Sequence, residues 1–256
     1  MKKAIFITVR TGSTRLPKKC LLEISGKTTI EYLIERVKLS RKADIIVLCT
    51  TELKEDEILC EIAKKNQILY YRGSVNDKLE RWKGAALKYN VEFFVTADGD
   101  DLFCDPELID LAFSQYERGK PDFIEGKDLI CGAFSYGIKT SALQEVCRIK
   151  DTDDTEMMWV YFKNTNMFKA EELEGFDKIY RRPEIRMTLD YYDDFRFFRH
   201  IIEKLDKGEK YFSLRDIVEY LDRNPDIILI NQYLQKEWED NQKKKTKLLI
   251  KKLPDN

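Results

Sequence analysis

Short apolar runs rich in β-branched residues alternate with helical patterns through the first half of the chain, and this alternation limits the possible folds more than any other feature. The candidate strands are residues 3–9, 45–49, 68–71 and 91–96. The candidate helices are residues 28–40, 54–65, 77–89 and 106–118. Strands that alternate regularly with helices form a parallel sheet covered on both faces. The sequence therefore predicts an α/β protein with a Rossmann-like, mostly parallel central sheet covered by helices.

The second half of the chain is less regular. Strands are predicted at residues 134–138 and 185–189, and helices at 192–206 and 213–223, the last with Ser213 as its N-cap. The sequence contains no internal repeat and no long linker. We therefore expect a single domain over residues 1–235, followed by a charged C-terminal tail, 236–256, that forms a surface helix or a frayed end.

The charge balance and the lengths of the apolar runs exclude several classes of protein. The 256 residues carry 45 Lys and Arg against 46 Asp and Glu, whereas a general nucleic-acid binder needs a basic excess. No apolar stretch approaches the ~18 residues of a membrane span, and the N-terminal run, which Arg10 ends, is too short for a signal peptide. We expect a cytoplasmic protein that binds neither nucleic acid nor a membrane.

The cysteines and the single histidine argue against several kinds of catalysis. None of the six cysteines forms a Cys-x-x-Cys pair, and most lie in apolar runs, as expected of reduced, buried thiols in a cytosolic protein. The only histidine, His200, is predicted to lie on the surface of a helix. A Ser/His/Asp or Cys/His enzyme and a histidine-based zinc site are therefore not expected.

The loop after the first strand is suited to bind a nucleoside triphosphate. Residues 10–19 combine a glycine, hydroxyl groups, free backbone N–H groups and four cations. Arginine offers forked donors that match phosphate oxygens. The loop fits neither Gly-x-Gly-x-x-Gly nor the P-loop pattern, so the dinucleotide and P-loop interpretations lose support. An ordinary basic surface loop would have the same composition.

Acidic residues follow the fourth predicted strand. Asp98, Asp100 and Asp101 surround Gly99, which lets the backbone approach its neighbours closely. Phosphoryl-type transfer needs a metal that neutralises charge on the phosphate, and Mg²⁺ is usually held by one or two carboxylates and several waters. This segment is therefore a candidate metal site, and an acidic turn that caps a helix is the alternative interpretation.

The order Arg-x-Gly-Ser-Thr-Arg-Leu-Pro-x-Lys over residues 10–19 is more specific than its composition. It resembles the signature of the cytidylyltransferases that activate sugar acids, such as the CMP-ketodeoxyoctonate and CMP-acylneuraminate synthetases, and most closely their spore-coat-polysaccharide branch. The resemblance covers about residues 4–235 in consistent order. It implies a nucleotidyltransferase fold of the nucleotide-diphospho-sugar transferase type, with a nucleotide half over about 1–118 and an acceptor and dimer half over about 119–235.

The same resemblance implies roles for particular residues. Asp100, in the Gly99-Asp100 turn, and Asp190, at the end of a late strand, correspond to the two Mg²⁺ ligands of the family. Arg15 and Lys19 would act with them in catalysis by stabilising the charge of the departing pyrophosphate. The implied nucleotide contacts are Arg10, Thr11, Gly12, Ser13, Arg15, Lys19, Thr50, Arg72, Gly73, Ser74, Asp77 and Asp98.

The acceptor half departs from the family pattern at Met157, which follows the matching Glu156 where many relatives have histidine. Arg181 and Arg186 could hold a carboxylate or phosphate of the acceptor, although surface salt bridges are the alternative. Glu156, together with Glu125 and Tyr136, could bind acceptor hydroxyl groups. The aromatic segment 159–162 is interpreted as core or dimer interface, and the family resemblance implies a homodimer.

These observations predict a Mg²⁺-dependent enzyme that transfers CMP from CTP to a small acidic acceptor and releases pyrophosphate. The leading acceptor is a sugar acid used for surface polysaccharide or glycan synthesis. A phosphorylated small molecule, which would give a CDP-linked product, is the first alternative. The second is a glycosyltransferase of the same fold, which the basic loop disfavours, or a non-catalytic nucleotide-sugar binder, which the presence of both carboxylates disfavours.

Overall fold

The computed structural model describes residues 1–208 and 211–251. The strands are β1 Lys2–Thr8, β2 Glu23–Ile24, β3 Lys27–Thr28, β4 Ile45–Thr51, β5 Leu69–Gly73, β6 Val91–Asp98, β7 Phe123–Glu125, β8 Tyr136–Lys139 and β9 Ala170–Glu172. The helices are α1 Thr29–Val37, α2 Glu57–Lys65, α3 Lys78–Tyr89, α4 Pro106–Gly119, α5 Thr140–Ile149, α6 Trp159–Lys163, α7 Tyr192–Leu205, α8 Leu214–Arg223 and α9 Leu234–Lys245. Within the described part of the chain, no helix combines the length and the apolar character that crossing a bilayer requires.

The central sheet has the strand order β5-β4-β1-β6-β8-β7-β9. The four strands from β5 to β6 are parallel, β8 is antiparallel to both of its neighbours, and β9 is parallel to β7. The sequence-based prediction of a mostly parallel sheet with flanking helices is confirmed. Because β8 runs against β6, its first residue, Tyr136, lies at the same edge as the carboxyl ends of the parallel strands.

The side chains of β1 show why both faces of the sheet are covered. Successive side chains of a strand point to opposite faces. Ile5 and Ile7 pack into one apolar cluster with α1, α2 and α4, whereas Ala4 and Phe6 pack into a second cluster with α3 and α5. All four are fully buried. The four consecutive apolar residues of this strand therefore mark a sheet enclosed between two helical layers.

Side-chain caps define the starts of several helices. The Asp105 carboxylate accepts the backbone N–H groups of Glu107 and Leu108 at 2.9 and 3.1 Å, and Pro106 occupies the first turn of α4. The Ser213 hydroxyl accepts the N–H of Asp216 at 3.2 Å, as predicted for the start of α8.

The predicted strand at residues 185–189 is wrong. Only an isolated bridge forms there, between Arg186 and Cys131. The segment is extended and its apolar residues are buried, which explains the strand-like pattern, but its backbone is bonded to loops. The N–H of Met187 donates to the carbonyl of Cys131, and the N–H of Leu189 donates to the carbonyl of Asp100, both at 2.8 Å. The consequence is that Asp190 follows directly beside the turn that carries Asp100.

Candidate active site

A cleft of about 950 Å³ opens at the carboxyl edge of the parallel strands. One side is formed by the loop after β1 and the turn after β6, and the other by the segment before β8, residues 153–159 and α9. In open α/β sheets, ligands bind beyond the carboxyl ends of the strands. The position of the cleft therefore agrees with the position expected for a ligand site.

Two carboxylates and two cations meet at the centre of this cleft. The ammonium group of Lys19 donates to Asp100 Oδ2 at 2.7 Å and to Asp190 Oδ1 at 2.8 Å. The guanidinium group of Arg15 also donates to Asp190 Oδ1, and it lies 5.4 Å from the centre of the Tyr191 ring. The sequence-predicted catalytic set is therefore brought together, although Asp100 and Asp190 are far apart along the chain.

The charges of this group stabilise one another. Burial raises the pKa of Asp190, but Lys19 and Arg15 outweigh it and hold the pKa at about 2. Burial likewise lowers the pKa of Lys19, but Asp100 and Asp190 raise it well above its ordinary value. Asp190 and Lys19 are therefore both charged at neutral pH.

A buried network holds Asp190 in place. Arg186 is 1% exposed and binds both oxygens of Asp194, at 2.9 and 3.2 Å. Asp194 Oδ2 accepts the backbone N–H groups of Asp190 and Tyr191, both at 2.9 Å. Asn231 donates to the other oxygen of Asp194 at 2.9 Å. Arg186 was predicted to bind the acceptor, but the structure places it behind Asp190 and outside the lining of the cleft.

The turn after β6 is packed closely against β1. The N–H of Gly99 donates to the carbonyl of Thr8 at 2.8 Å, and a Cβ atom at position 99 would lie 2.7 Å from the Val9 side chain. Asp98 and Asp101, on either side of Asp100, also line the cleft. Burial and the neighbouring carboxylates raise the pKa of Asp101, and burial raises the pKa of Asp98. The turn therefore places two further carboxyl groups next to Asp100, and their surroundings favour the protonated form of each.

The donor set of this centre fits Mg²⁺. Among residues 1–208 and 211–251, no group of three or more His, Cys, Asp and Glu side chains is arranged to hold a metal ion. Asp100 and Asp190, however, already share one cation, the Lys19 ammonium. Mg²⁺ prefers oxygen ligands and is commonly held by one or two carboxylates, with water and substrate phosphate as the other ligands. The two carboxylates of Asp100 and Asp190 therefore match the number of protein ligands that Mg²⁺ commonly has.

The loop after β1 presents its polar groups to the cleft. Arg10, Gly12 and Ser13 line the cleft, together with Arg15 and Lys19. Thr11 is buried beneath the loop, where its N–H and hydroxyl donate to Asp56 Oδ1 at 2.7 and 2.6 Å. The sequence-predicted contacts of this loop therefore separate into residues that face the cleft and one that anchors the loop.

Other predicted nucleotide contacts lie outside the lining of the cleft; they are Thr50, Arg72, Gly73, Ser74 and Asp77. Each has a structural role or position of its own: Arg72 donates to the carbonyls of residues 51–53, Asp77 caps α3, and Ser74 accepts the N–H of Asp77. Thr50 is fully buried, and Gly73 packs against Tyr71 and Arg81. These predicted contacts therefore have structural roles or positions outside the lining of the cleft.

Arg81, which belongs to the segment that resembles the family's helix beside the pyrimidine, is a further candidate functional residue. Its side chain lines the cleft but is only 5% exposed, and burial lowers its pKa. Within the described chain, its Nε and Nη1 atoms have no hydrogen-bond partner. Buried polar groups are nearly always paired, so such an arginine is unusual.

Of the residues that the sequence analysis suggested for the acceptor, Glu125, Tyr136 and Glu156 line the cleft. Burial raises the pKa of Tyr136, so its phenol stays protonated. Burial also raises the pKa of Glu156, but Lys245 and other cations lower it below its ordinary value. Arg181 lies elsewhere: it pairs with Asp128 at 3.3 Å and stacks on the ring of Phe176. Of the predicted acceptor contacts, Tyr136 and Glu156 therefore line the cleft, and Arg181 and Arg186 do not.

The aromatic segment divides between core and cleft. Tyr161 and Phe162 are 1% exposed and belong to the apolar core, as one of the two sequence-based interpretations has it, whereas Trp159 lines the cleft. The charged tail contributes to a helix, which is one of the two forms expected of it, but this helix also borders the cleft. Its helix α9 lies along the cleft, to which Trp238, Gln242, Lys243 and Lys245 contribute side chains. Residues 252–256 of the predicted tail lie outside the described residues.

Comparison with known proteins places this geometry in a family context. A family model described as cytidylyltransferase matches residues 4–236. An uncharacterized protein of Methanocaldococcus jannaschii is 32% identical over 93% of this chain and 97% of its own. The spore coat polysaccharide biosynthesis protein SpsF of Bacillus subtilis is 26% identical over 86% of this chain and 94% of its own. The solved structure of a cytidylyltransferase from Leptospira borgpetersenii serovar Hardjo-bovis is 30% identical, with a TM-score of 0.79 over 89% of this chain and 97% of that one.

Proposed function

Because the chain belongs to the cytidylyltransferase family, as its sequence predicted, and is a nucleotidyltransferase that uses CTP, we propose that it transfers CMP to an oxygen of a small acidic acceptor and releases pyrophosphate. The acceptor is a sugar acid destined for a surface polysaccharide or glycan. The observation that carries the proposal is the contact of Lys19 with both Asp100 and Asp190, beside Arg15, inside one cleft.

The metal of this reaction is Mg²⁺, with Asp100 and Asp190 as its protein ligands. When bound, the ion supplies charge neutralisation at the α-phosphate and orients the attacking oxygen. Lys19 makes ion pairs with both carboxylates, so it exchanges these contacts for phosphate oxygens when substrate and metal bind. Arg186 acts as a positioning residue, because it holds Asp190 through Asp194 and does not reach the cleft.

The triphosphate is held by the loop after β1. Arg10, Arg15 and Lys19 neutralise the β- and γ-phosphates, and the exposed backbone around Gly12 and Ser13 donates N–H groups. An acceptor oxygen attacks the α-phosphorus, the bond to the bridging oxygen of the β-phosphate breaks, and that oxygen leaves with the pyrophosphate. The same three cations stabilise the negative charge that develops on this leaving group.

Arg81 gives the site its preference for cytosine. Cytosine carries two adjacent acceptors, O2 and N3, whereas uracil carries a donor at N3. The Nε and Nη1 of Arg81 are donors without a partner in the described chain, so this side chain is suited to donate to an acceptor such as O2 or N3 of cytosine and not to the N3–H of uracil. A site built to hydrogen-bond a substrate rejects an analogue that leaves its buried groups unpaired.

The rest of the proposal concerns the whole chain. Residues 1–235 form the catalytic domain, to which 236–256 are an addition, and two copies associate as a homodimer in the cytoplasm. Large exposed apolar side chains in the second half, such as Tyr192 and Leu229, suit an interface, and the six free cysteines suit a reducing compartment. A sedimentation measurement that gave the mass of one 30.4 kDa chain would contradict the homodimer.

The experiment that tests the proposed function measures pyrophosphate release with Mg²⁺ and CTP. The acceptor panel contains 3-deoxy-manno-octulosonate, N-acetylneuraminate and a set of small phosphomonoesters, and ATP, GTP and UTP replace CTP in the controls. We expect release with CTP and a sugar acid. Release with a phosphomonoester would replace the CMP ester by a CDP-linked product, and failure of CTP to bind would overturn the proposal.

A further inference from the structure

Most of helix α9 lies beyond the residues that the family model matches, and the helix lines the cleft. The family match ends at residue 236, and α9 runs to Lys245. Six residues of α9 and its C-cap line the cleft: Trp238, Glu239, Gln242, Lys243, Lys245 and Thr246. Because most of α9 lies beyond the family match and yet lines the cleft, the helix is a candidate determinant of which acceptor this enzyme uses.

The helix is tied to both sides of the cleft. At its start, Gln235 accepts a hydrogen bond from Arg186 at 3.1 Å, and Glu237 accepts one from Tyr191 at 3.2 Å. The Trp238 ring lies 5.4 Å from the guanidinium carbon of Arg186. These contacts connect α9 to the network that holds Asp190.

At the other end, Lys245 pairs with Glu156 at 3.3 Å across the acceptor side of the cleft. The chain beyond α9 then binds the end of α5. The carbonyl of Leu249 accepts the N–H of Asp151 at 2.8 Å, and the N–H of Lys251 donates to the carbonyl of Ile149 at 2.8 Å. The helix therefore crosses the cleft as a strap fastened at both ends.

The strap supplies the positive charge that the acceptor side otherwise lacks. Among the described residues from 119 onward, the cations that line the cleft are Lys243 and Lys245, whereas the acids are Glu125, Asp153, Asp154, Glu156, Asp190 and Glu239. The two arginines that the sequence suggested for an acidic acceptor, Arg181 and Arg186, do not line the cleft. An acidic acceptor therefore meets cations on this side at α9.

The C-terminal end of α9 has groups that could bind an acidic acceptor. The Lys245–Glu156 pair is about half exposed on each side, and pairs of this kind rearrange at little cost. One turn back, Gln242 Oε1 is a buried acceptor without a hydrogen-bond partner in the described chain. A hydroxyl group would satisfy it, whereas a carboxylate would not. The strap therefore offers cations for an acid and an acceptor for a hydroxyl group.

We infer that α9 is the acceptor-recognition element of this enzyme: Lys243 and Lys245 bind the carboxylate of a polyhydroxy acid, and Gln242 accepts a hydrogen bond from one of its hydroxyl groups. This inference rests on the proposed function, because it names the part of the chain that reads the acceptor. Lys245 leaves Glu156 when the acid binds, and Glu156 then becomes available to accept from a second hydroxyl group.

The run Lys243-Lys244-Lys245 contains its own control. All three lysines are exposed on the same helix end, but Lys244 does not line the cleft.

The test is calorimetric titration of 3-deoxy-manno-octulosonate, N-acetylneuraminate and glycerol 3-phosphate into the full-length protein saturated with CTP. The proteins compared are the wild type, Lys243→Gln, Lys245→Gln, Gln242→Leu and Lys244→Gln.

We expect a sugar acid to bind the wild type and Lys244→Gln with affinities within about twofold. Lys243→Gln and Lys245→Gln should each bind it roughly tenfold more weakly, since each loses one charge-assisted hydrogen bond. Gln242→Leu should bind it more weakly without a lower melting temperature, because the leucine removes an unpaired buried group. Affinity for CTP should be the same in all five proteins.

Equal affinity of the sugar acid for all three lysine variants would overturn the inference, as would binding of glycerol 3-phosphate in preference to both sugar acids. A CTP complex of the wild type that binds none of the three probes would also overturn it. The CTP titration distinguishes these results from failure of the proposed function. If the wild-type protein does not bind CTP, the proposed function is wrong. If it binds CTP normally, only the role of α9 is contradicted.

Discussion

At the scale of single residues, the site combines charged side chains that form ion pairs, such as Asp190 with Lys19, and one buried arginine, Arg81, that lacks hydrogen-bond partners at two of its nitrogens in the described chain. The pKa of Asp190, about 2, lies below the ~3.9 of an unfolded aspartate. A lowered pKa contributes stability above the unfolded value, and that contribution is lost only as the pH falls through the folded value. The ion pairs of Asp190 with Lys19 and Arg15 are therefore complete at any pH at which CTP would be used. Arg81, in contrast, is a buried cation whose Nε and Nη1 are unpaired in the described chain.

Asp190→Asn should reduce turnover by roughly two orders of magnitude or more, because it removes the charge of a proposed metal ligand while keeping the shape of the side chain. The matched control is Asp193→Asn, a residue of α7 that pairs with Arg196 and does not line the cleft. Both variants should keep the wild-type circular dichroism spectrum. Near-normal kcat in Asp190→Asn with CTP and its acceptor would rule out the proposed role.

Arg81→Gln should weaken CTP binding by roughly tenfold to a hundredfold, because hydrogen bonds to a charged group contribute about 1.5–3 kcal/mol. Binding of UTP should change much less, so the preference for CTP should largely disappear. The melting temperature without nucleotide should not fall, since an incompletely paired buried charge costs stability. Lys83→Gln, on the same helix but outside the cleft lining, is the control. A variant that keeps full CTP preference would contradict the role of Arg81.

At the scale of elements, an extended segment is positioned by loops instead of by the sheet. Residues 185–189 bind the loop at Cys131 and the turn at Asp100, and they deliver Asp190 to the site. The approach is close at Gly132, where φ is +87° and an added Cβ would lie 1.9 Å from the carbonyl oxygen of Met187. Only glycine has both the backbone freedom and the small size that this contact requires.

Gly132→Ala should lower the free energy of unfolding by more than about 3 kcal/mol, because the backbone strain is joined by a steric clash with another segment. Gly26→Ala is the matched control. Its φ is +82°, but an added Cβ there would meet no heavy atom within 4 Å, so only the cost of the left-handed backbone, about 1–2 kcal/mol, is expected. Urea unfolding of both variants measures the difference in their free energies of unfolding. If both variants lose the same free energy of unfolding, the contact with Met187 does not contribute to the cost.

At the scale of the whole molecule, the fold does not need a metal ion to neutralise its central carboxylates. Lys19 contacts both Asp100 and Asp190, and Arg15 contacts Asp190 as well. The cleft also has ordered walls on both sides, because α9 is bonded to the Asp190 network at one end and to α5 at the other. Binding of metal and nucleotide is therefore expected to rearrange side chains within an existing cleft.

Chelation with EDTA should abolish pyrophosphate release, and excess Mg²⁺ should restore it, because the proposed reaction needs a divalent cation at the α-phosphate. The melting temperature of the enzyme without CTP should change by no more than about 2 °C, since the ion pairs with Lys19 and Arg15 remain. Turnover that survives chelation would exclude the metal from the reaction. A large drop in melting temperature would instead assign the metal a structural role.

The sequence alone was sufficient for features that depend on local chemistry. Continuous apolar runs and helical spacing report which segments are buried, and so they identified the alternating strands and helices, the sheet class and the order of loops at its carboxyl edge. The residue types of the loop 10–19 and of the Gly99-Asp100 turn likewise indicated phosphate and metal chemistry. The resemblance to cytidylyltransferases rests on these local motifs, and the match over residues 4–236 confirms it.

The tertiary structure decided what depends on contacts between distant segments. Local pattern does not show that Arg186 points inward to Asp194, that Arg81 is buried without a full set of partners, or that segment 185–189 binds loops instead of a strand. It also presented α9 as a charged tail, because its lysines and acids look like solvated surface when the opposite wall of the cleft is unknown. The sequence determines which residues are charged. The elements that pack beside a charged residue determine whether it faces water, the core or a substrate.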